Sequence, residues 1–466
     1  MYNIMSSDKY AQKSKREIYQ ILPTNLGAGV FAPSRNGLSQ MIFELPQLPA
    51  IMNGKSLRIN GTFTLKQGNG NAPDNARNFL KDTPTSDIFI DSRTGVLSCF
   101  ETLTIGSLRG TTYSSIKNYN RLMSSVLPLN ESTRNYLNGI DTHYGCLSKD
   151  VSTAKKCDRS FDFSVPLNCG YLQGQPINMW ITQGHRITIN LAQDSFVIHN
   201  NKQRNTNSSA GKSNGGAYYE LSDVTLSFEV DTPDDEGQNA IRSMTKGQMT
   251  YNSYSSFYNV IVSNDHNLSL LFNTAKTIAV IGNMIPSEWV NNYDYDSSRT
   301  QQLLYEDGNG ELQNGVQIDS YTYTIGGVRV GYDFEIDSEV SQQNGTIDSV
   351  KNEIELNAIR EGWSAGNFIK SIQTELSNPF STTADQPRFD RTRYAIVGED
   401  KFQHYNIGLS YDHITEIGQD CRTRPFALRI QSTLPQGKAL NPHSLYLFVL
   451  HQNTIVFDNG SVSVLS

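Results

Sequence analysis

The stretch "AYYELSDVTLSFEVDTPDDEGQ", residues 217–238, sets Val224, Leu226, Phe228 and Val230 at every second position. Thr225, Ser227 and Glu229 fall between them. A two-residue period is that of a β-strand with one buried and one wet face. The pattern stops at Thr232-Pro233 and the acidic run Asp234-Asp235-Glu236, as at the end of a finished domain. Almost half of the chain still follows, and it is β-patterned as well.

Upstream, "SLRINGTFTLK" places Leu57, Ile59, Gly61, Phe63 and Leu65 on one face, and "HRITINLA" does the same with Ile187, Ile189 and Leu191. Asn-Gly pairs at 36, 53, 60, 69, 138 and 214 supply turns, because both residues tolerate positive φ. Asn60-Gly61 lies inside an alternating run and predicts a bulge there. Downstream, strand patterns recur in "SSFYNVIVS", "KTIAVIGNMI", "SYTYTIGGVRVGYDFEI", "HYNIGLSYD" and "PFALRIQST". The last is "SLYLFVLHQNTIVFDNGSVSVLS", a hairpin turning at Asp458-Asn459-Gly460. Helical spacing is confined to 113–127, 132–140 and 348–363. A parallel α/β fold needs a helix after nearly every strand, so the reading is all-β: two β-sandwiches in tandem with a few short helices in inserted loops.

Length agrees. At 466 residues the chain exceeds the roughly 250–300 residues at which one core stops growing. The charged fraction is only 18%, so the surface leans on Asn, Ser, Thr, Gln and Gly, a composition weakly protected against self-association. The net charge of −7 argues against a protein whose work is gripping phosphate backbones, and no specific nucleic-acid binding is expected. The most basic stretch, Lys9, Lys13, Lys15 and Arg16, reads as a solvated tail. The first twenty residues lack the apolar core of a secretory signal, and no apolar run approaches a membrane span; "SLYLFVL" is far too short. Five scattered cysteines (Cys99, Cys146, Cys157, Cys169 and Cys421) in a chain not expected to be secreted read as reduced thiols.

The search for chemistry yields little. The eight histidines form no HExxH pair; His404 and His413 flank a strand-like segment and are the best metal candidates. Asp294, Asp296 and Ser298 begin a calcium-loop pattern that fails at Arg299 and Tyr305. Asp333 and Glu335 could serve a glycosidase, yet acids two apart on a strand usually line its wet face. Trp180, Trp289 and Trp363 are candidates for stacking on sugars, with core packing the commoner use of such rings. No catalytic, cofactor-binding or metal-ligating residue is assigned, and no cofactor. The expectation is a protein that presents surfaces and is not an enzyme.

The order of segments resembles the double jelly-roll major capsid proteins of polinton-like viruses, virophages and related icosahedral DNA viruses. The residues that carry this begin with "GVLSCFETLTIGSLRGTTYSSIKNYNRLMSSVLP" (95–128), where Ile116, Asn118, Tyr119, Asn120 and Leu122 match a strand-to-helix motif. "INMWITQGHRITINLA" and "YYELSDVTLSFEV" are similar to the later strands of a first roll. "YTYTIGGVRVGYD", "NEIELNAIREGWSAG" and "FQHYNIGLSYDHITEIGQDCRTRPFALRIQS" (402–432) resemble the strand before a helical insertion, the insertion, and the closing strands of a second roll.

The resemblance implies a double jelly roll with an inner-face N-terminal arm (1–37), a first roll (38–231), a linker (232–250) and a second roll (251–466). It further implies homotrimeric, pseudo-hexagonal capsomers that tile an icosahedral virion shell, assembled inside the host cell and contacting penton and other minor capsid proteins. Other readings are a two-domain carbohydrate-binding protein and a glycoside hydrolase on a β-scaffold.

Overall fold

The computed structural model describes residues 14–25, 29–34, 37–67, 89–90, 94–130, 160–167, 169–173, 176–199, 217–292, 305–309, 312–313, 317–335, 406–410 and 420–465. The first sandwich is built from β1 (Lys15–Ile21), β2 (Gln40–Leu45), β3 (Ile51–Gln67), β4 (Phe100–Gly106), β5 (Thr112–Lys117), β6 (Ser160–Pro166), β7 (His185–Leu191) and β8 (Ala217–Thr232). They form two antiparallel sheets, ordered β1-β8-β3-β6 and β2-β7-β4-β5. The second sandwich is built from β9 (Lys246–Ile261), β10 (Asp265–Leu270), β11 (Thr277–Pro286), β12 (Gln317–Ile325), β13 (Val328–Glu335), β14 (Asn406–Ser410), β15 (Phe426–Thr433) and β16 (His443–Asp458). Its sheets are ordered β9-β16-β11-β14 and β10-β15-β12-β13. Adding eight to every label of the first sandwich gives the second. This is the jelly-roll order, used twice.

The alternation read in the sequence is the burial observed. Val224, Leu226, Phe228 and Val230 of β8 are at most 1% exposed, and Leu57, Ile59, Phe63 and Leu65 of β3 meet them in one core. The irregularity expected at Asn60-Gly61 exists, but the extra residue belongs to the neighbouring strand. Pairing slips between Ser222 and Thr225 of β8, opposite Thr62 and Asn60, and Asp223 takes a φ of 51°. The closing hairpin turns at Asn459 (φ 48°) and Gly460 (φ 83°) into β17 (Ser461–Leu465), both residues in the left-handed region that a tight hairpin needs.

Three expectations are corrected. The stretch expected as a separate arm over 1–37 holds β1, an edge strand of the first roll. It pairs with β8 from Lys15↔Thr232 to Ile21↔Leu226, so residues 15–21 are not a solvated tail. The tail reading missed it because Glu17, Tyr19 and Ile21 alternate among charged neighbours, and only β8 supplies the partner. The stretch expected as a linker over 232–250 holds a helix, α2 (Asp235–Ser243), followed by the start of β9. Asp234 caps α2 by accepting from the Gly237 amide at 3.0 Å, with Asp235 and Glu236 in the first turn and Arg242 in the last, matched to the helix dipole. Finally, the helix expected over 113–127 is a strand up to Lys117. Asn118, at φ 52°, breaks the chain direction, and α1 (Tyr119–Asn130) begins after it. The helical patterns at 132–140 and 348–363 lie outside the described residues.

The two cores are unequal. One cluster fills the first roll and continues into the second through Met249, Tyr251, Ile285, Trp289, Tyr446, Phe448 and Leu450. A second cluster, with Leu268, Val280, Met284, Phe426, Leu428, Leu445, Leu447 and Val449, fills the second roll alone. Strand β16 therefore serves both: Leu445, Leu447 and Val449 point into its own roll, and Tyr446, Phe448 and Leu450 into the first. This is why "SLYLFVL" is an unbroken apolar run, since a strand buried on both faces has no wet positions to alternate with. Leu447→Ala and Phe448→Ala are each expected to lower stability by about 2–5 kcal/mol in denaturant titration. Hydrogen exchange separates them: Phe448→Ala loosens amides in the first roll, whereas Leu447→Ala leaves them unchanged.

Candidate functional site

Among the described residues, no group of three or more His, Cys, Asp or Glu side chains is arranged to hold a metal. His404, His413, Asp294, Asp296, Ser298 and Trp363 lie outside the described residues, as do Cys146 and Cys157. Asp333 and Glu335 both fall on β13. Trp289 is 2% exposed and belongs to the large core, and Trp180 is half-buried in a turn whose carbonyl accepts from Gln47 Nε2 at 2.8 Å. Cys99, Cys169 and Cys421 are buried, and burial pushes the thiols of Cys169 and Cys421 up, away from the reactive thiolate. No described helix is long and apolar enough to cross a membrane.

What the fold does bring together is a polar and aromatic seam between the rolls. Strand β5, at the edge of one first-roll sheet, runs beside β9, at the edge of a second-roll sheet. Ser114 and Ser253 share a hydrogen bond at 3.1 Å, Ser256 Oγ donates to the Lys117 carbonyl at 2.5 Å, and Tyr251 donates to the Tyr113 carbonyl. Tyr171 stacks on Tyr113 with centroids 5.2 Å apart and meets Tyr251 edge-on at 5.1 Å. Beneath them the Tyr113 hydroxyl donates to the Thr182 carbonyl at 2.7 Å, and Tyr171 shares a 2.6 Å hydrogen bond with His185 Nε2. Gln183 Nε2 reaches across to the Gly460 carbonyl at 2.7 Å.

Two residues on the first-roll side stand out. Gly170 lies so close to β9 that a Cβ there would overlap the Asn252 carbonyl. Arg121, on α1, is 3% exposed, with its guanidinium 5.2 Å from the Phe196 ring and 5.7 Å from the Tyr446 ring. It thereby clamps a first-roll helix and a second-roll strand by cation–π attraction, which strengthens when desolvated. Neither was singled out by sequence reasoning for this role, because neither a lone Gly nor an Arg in a helical pattern signals a tertiary neighbour.

The seam and its surroundings hold their histidines neutral. Burial drives the His185 imidazole down to about 3, with Tyr113 and Tyr171 beside it and no partner for Nδ1 among the described residues. His451 is lowered to about 4 by burial, its Nδ1 donating to Asn453 Oδ1 at 2.9 Å and its Nε2 accepting from Ser255 at 3.0 Å. Burial pushes the Tyr171, Tyr113, Tyr251 and Tyr254 hydroxyls up, so these phenols stay protonated. Among the described residues of the seam the histidines are neutral and the phenols protonated, and their hydrogen bonds and ring contacts tie the two rolls together.

Two outcomes are expected. Gly170→Ala should cost about 1–3 kcal/mol by forcing β9 away, read as faster hydrogen exchange in β5 and β9. For His185 the folded value lies below the unfolded one near 6.5. The unfolded chain then takes up a proton that the native state refuses, and stability falls as pH drops from about 6.5 toward 3. The slope is about 1.4 kcal/mol per pH unit for each such histidine, and His185→Gln should remove one such increment from denaturation measured between pH 6 and pH 4.

No protein-family model and no curated protein sequence matches the chain. Solved structures do. The PBCV-1 protein VP54, in a crystal structure fitted into a reconstruction of the virophage Sputnik, is 12% identical over 99% of both chains, with a TM-score of 0.56. The Faustovirus major capsid protein is 10% identical over 96% of this chain and 91% of its own, at 0.56. A chain of the Sputnik virophage solved by cryo-EM is 10% identical over 97% of this chain and 88% of its own, at 0.52. At such identities the likeness is one of backbone architecture, and it runs the length of the molecule. The chain has the double jelly-roll fold of these viral capsid structures.

Proposed function

We propose that this chain is the major capsid protein of an icosahedral DNA virus, assembling as pseudo-hexagonal homotrimers that tile the shell. The single observation that carries the reading is the doubled roll, two copies of one strand order locked by a buried seam. A chain containing two similar lobes lets three copies present six, so that a three-fold object fills a position with six neighbours. The whole-length likeness to the Faustovirus and Sputnik proteins supports it. So does a surface with few charged groups, since a modest net charge of −7 lets many copies pack without strong mutual repulsion.

The role is structural and not catalytic. Penton and other minor capsid proteins are the further partners, and the virion is the location, reached by assembly inside the host cell. The carbohydrate-binding alternative loses Trp289 to the core.

Light scattering on the purified chain is expected to give three times the chain mass at micromolar concentration. Electron microscopy of concentrated protein should show capsomers with a six-lobed outline. A monomer at every concentration would overturn the reading.

A further inference from the structure

We propose that His185 is the trigger of an acid-opened joint: a proton taken up there frees the short helix Gly170–Gln173 from β9, and the seam parts while each roll keeps its own strands. The helix lies between the rolls as a wedge, and two glycines let it in. A Cβ on Gly54 of β3 would overlap the Leu172 carbonyl, and one on Gly170 would overlap the Asn252 carbonyl of β9. Between those contacts Tyr171 stacks on Tyr113 of β5 and meets Tyr251 of β9 edge-on, and its hydroxyl shares the 2.6 Å hydrogen bond with His185 Nε2. One side chain therefore joins an imidazole of the first roll to β9 of the second. The joint lies within one chain, so the trigger is independent of how chains assemble.

The surroundings of His185 suit a neutral ring and not a cation. It is 1% exposed, and the side chains facing it are Tyr113 of β5 and Tyr171 of the helix, with Cys169 and Tyr251 of β9 next to Tyr171. Burial holds all four in their uncharged forms, and no ionised group acts on the imidazole. The ion pair of its strand neighbours, Arg186 with Glu44, stands on the solvent side of the sheet. An imidazolium has two N–H donors. Its Nε2–H meets the Tyr171 oxygen, but its Nδ1–H has no acceptor among the described residues. A buried charge left without a partner is strongly destabilising, and admitting water relieves it. Water enters where the packing is least tied: the helix has four residues, whereas β7 is hydrogen-bonded to β2 on one side and β4 on the other. Moving the helix withdraws Tyr171 from Tyr113 and Tyr251. His451 is the contrast, because its Nδ1 faces Asn453 Oδ1 and its Nε2 faces Ser255 Oγ, both able to accept from a charged ring. The closed seam refuses the proton on His185, and the open one accepts it with the ordinary value near 6.5. Opening is therefore favoured as pH falls from about 6.5 toward 3 and suppressed above that window.

The test is hydrogen exchange read by mass spectrometry on the full chain at pH 7 and pH 4.5, corrected for the intrinsic exchange rate at each pH. Protection of β5 and of residues 249–256 in β9 is expected to fall at least about tenfold on acidification, while β3 with β8 and β10 with β15 keep theirs. His185→Gln and His185→Phe are each expected to abolish that drop. His266→Gln, at another buried histidine on β10, is expected to leave it intact. In the parent, loosening that begins in the strand interiors or everywhere at once overturns the trigger, whether or not the variants fold. So does a seam equally protected at both pH values, or a folded His185 variant that still opens with acid.

Discussion

The structure depends on one strand being buried twice. His443–Asp458 forms, with β9, the longest strand pairing described in the second roll, matched to β9 along its full length and to β11 along about half of it. Its odd-numbered residues from Leu445 to Val449 complete the second core, and its even-numbered residues from Tyr446 to Leu450 complete the first. A sheet whose two faces both lie in apolar surroundings cannot slip by one residue without exposing one set to the other's geometry, so register and inter-roll position are set together. The two rolls are thus parts of one body and not beads on a linker.

The seam adds direction to that apolar contact. Burial of Tyr446, Phe448 and Leu450 would tolerate many relative orientations, since hydrophobic attraction is non-directional. The hydrogen bonds of Ser253, Ser256 and Tyr251 to β5, and the close approach of Gly170 to Asn252, do not. Polar pairs at the edge of an apolar contact select one arrangement because each missed partner is a buried unsatisfied group. In fixing the angle between the two rolls, this selectivity matters more than added stability. Outer ion pairs such as Arg186–Glu44 at 2.5 Å and Arg429–Asp265 at 2.6 Å join equivalent strands in both rolls, but they are solvent-exposed and contribute little.

The same physics sets the chemical character of the described residues at the seam. His185 and the tyrosines there are dry and neutral, and Tyr171 and Tyr113 are engaged in hydrogen bonds with His185 and the Thr182 carbonyl. Burial that perturbs a titrating group marks a functional site only when substrate can reach it. Here burial marks a joint.

The sequence by itself determined the local elements. The alternation in 217–232 and 57–65 specified strands and their inward faces, Asn459-Gly460 specified a hairpin, and the doubled order of segments specified two rolls, because period and turn chemistry act within a few residues. Asp234 with its acidic followers looked like a terminus and is a helix cap, since both uses draw on the same residues. Tertiary structure alone decided which faces meet. That β1 belongs to the first roll, that Arg121 is buried between Phe196 and Tyr446, and that β16 serves two cores follow from contacts between residues far apart in the chain. No short window contains both partners of such a contact, and an apolar run does not say how many cores it fills.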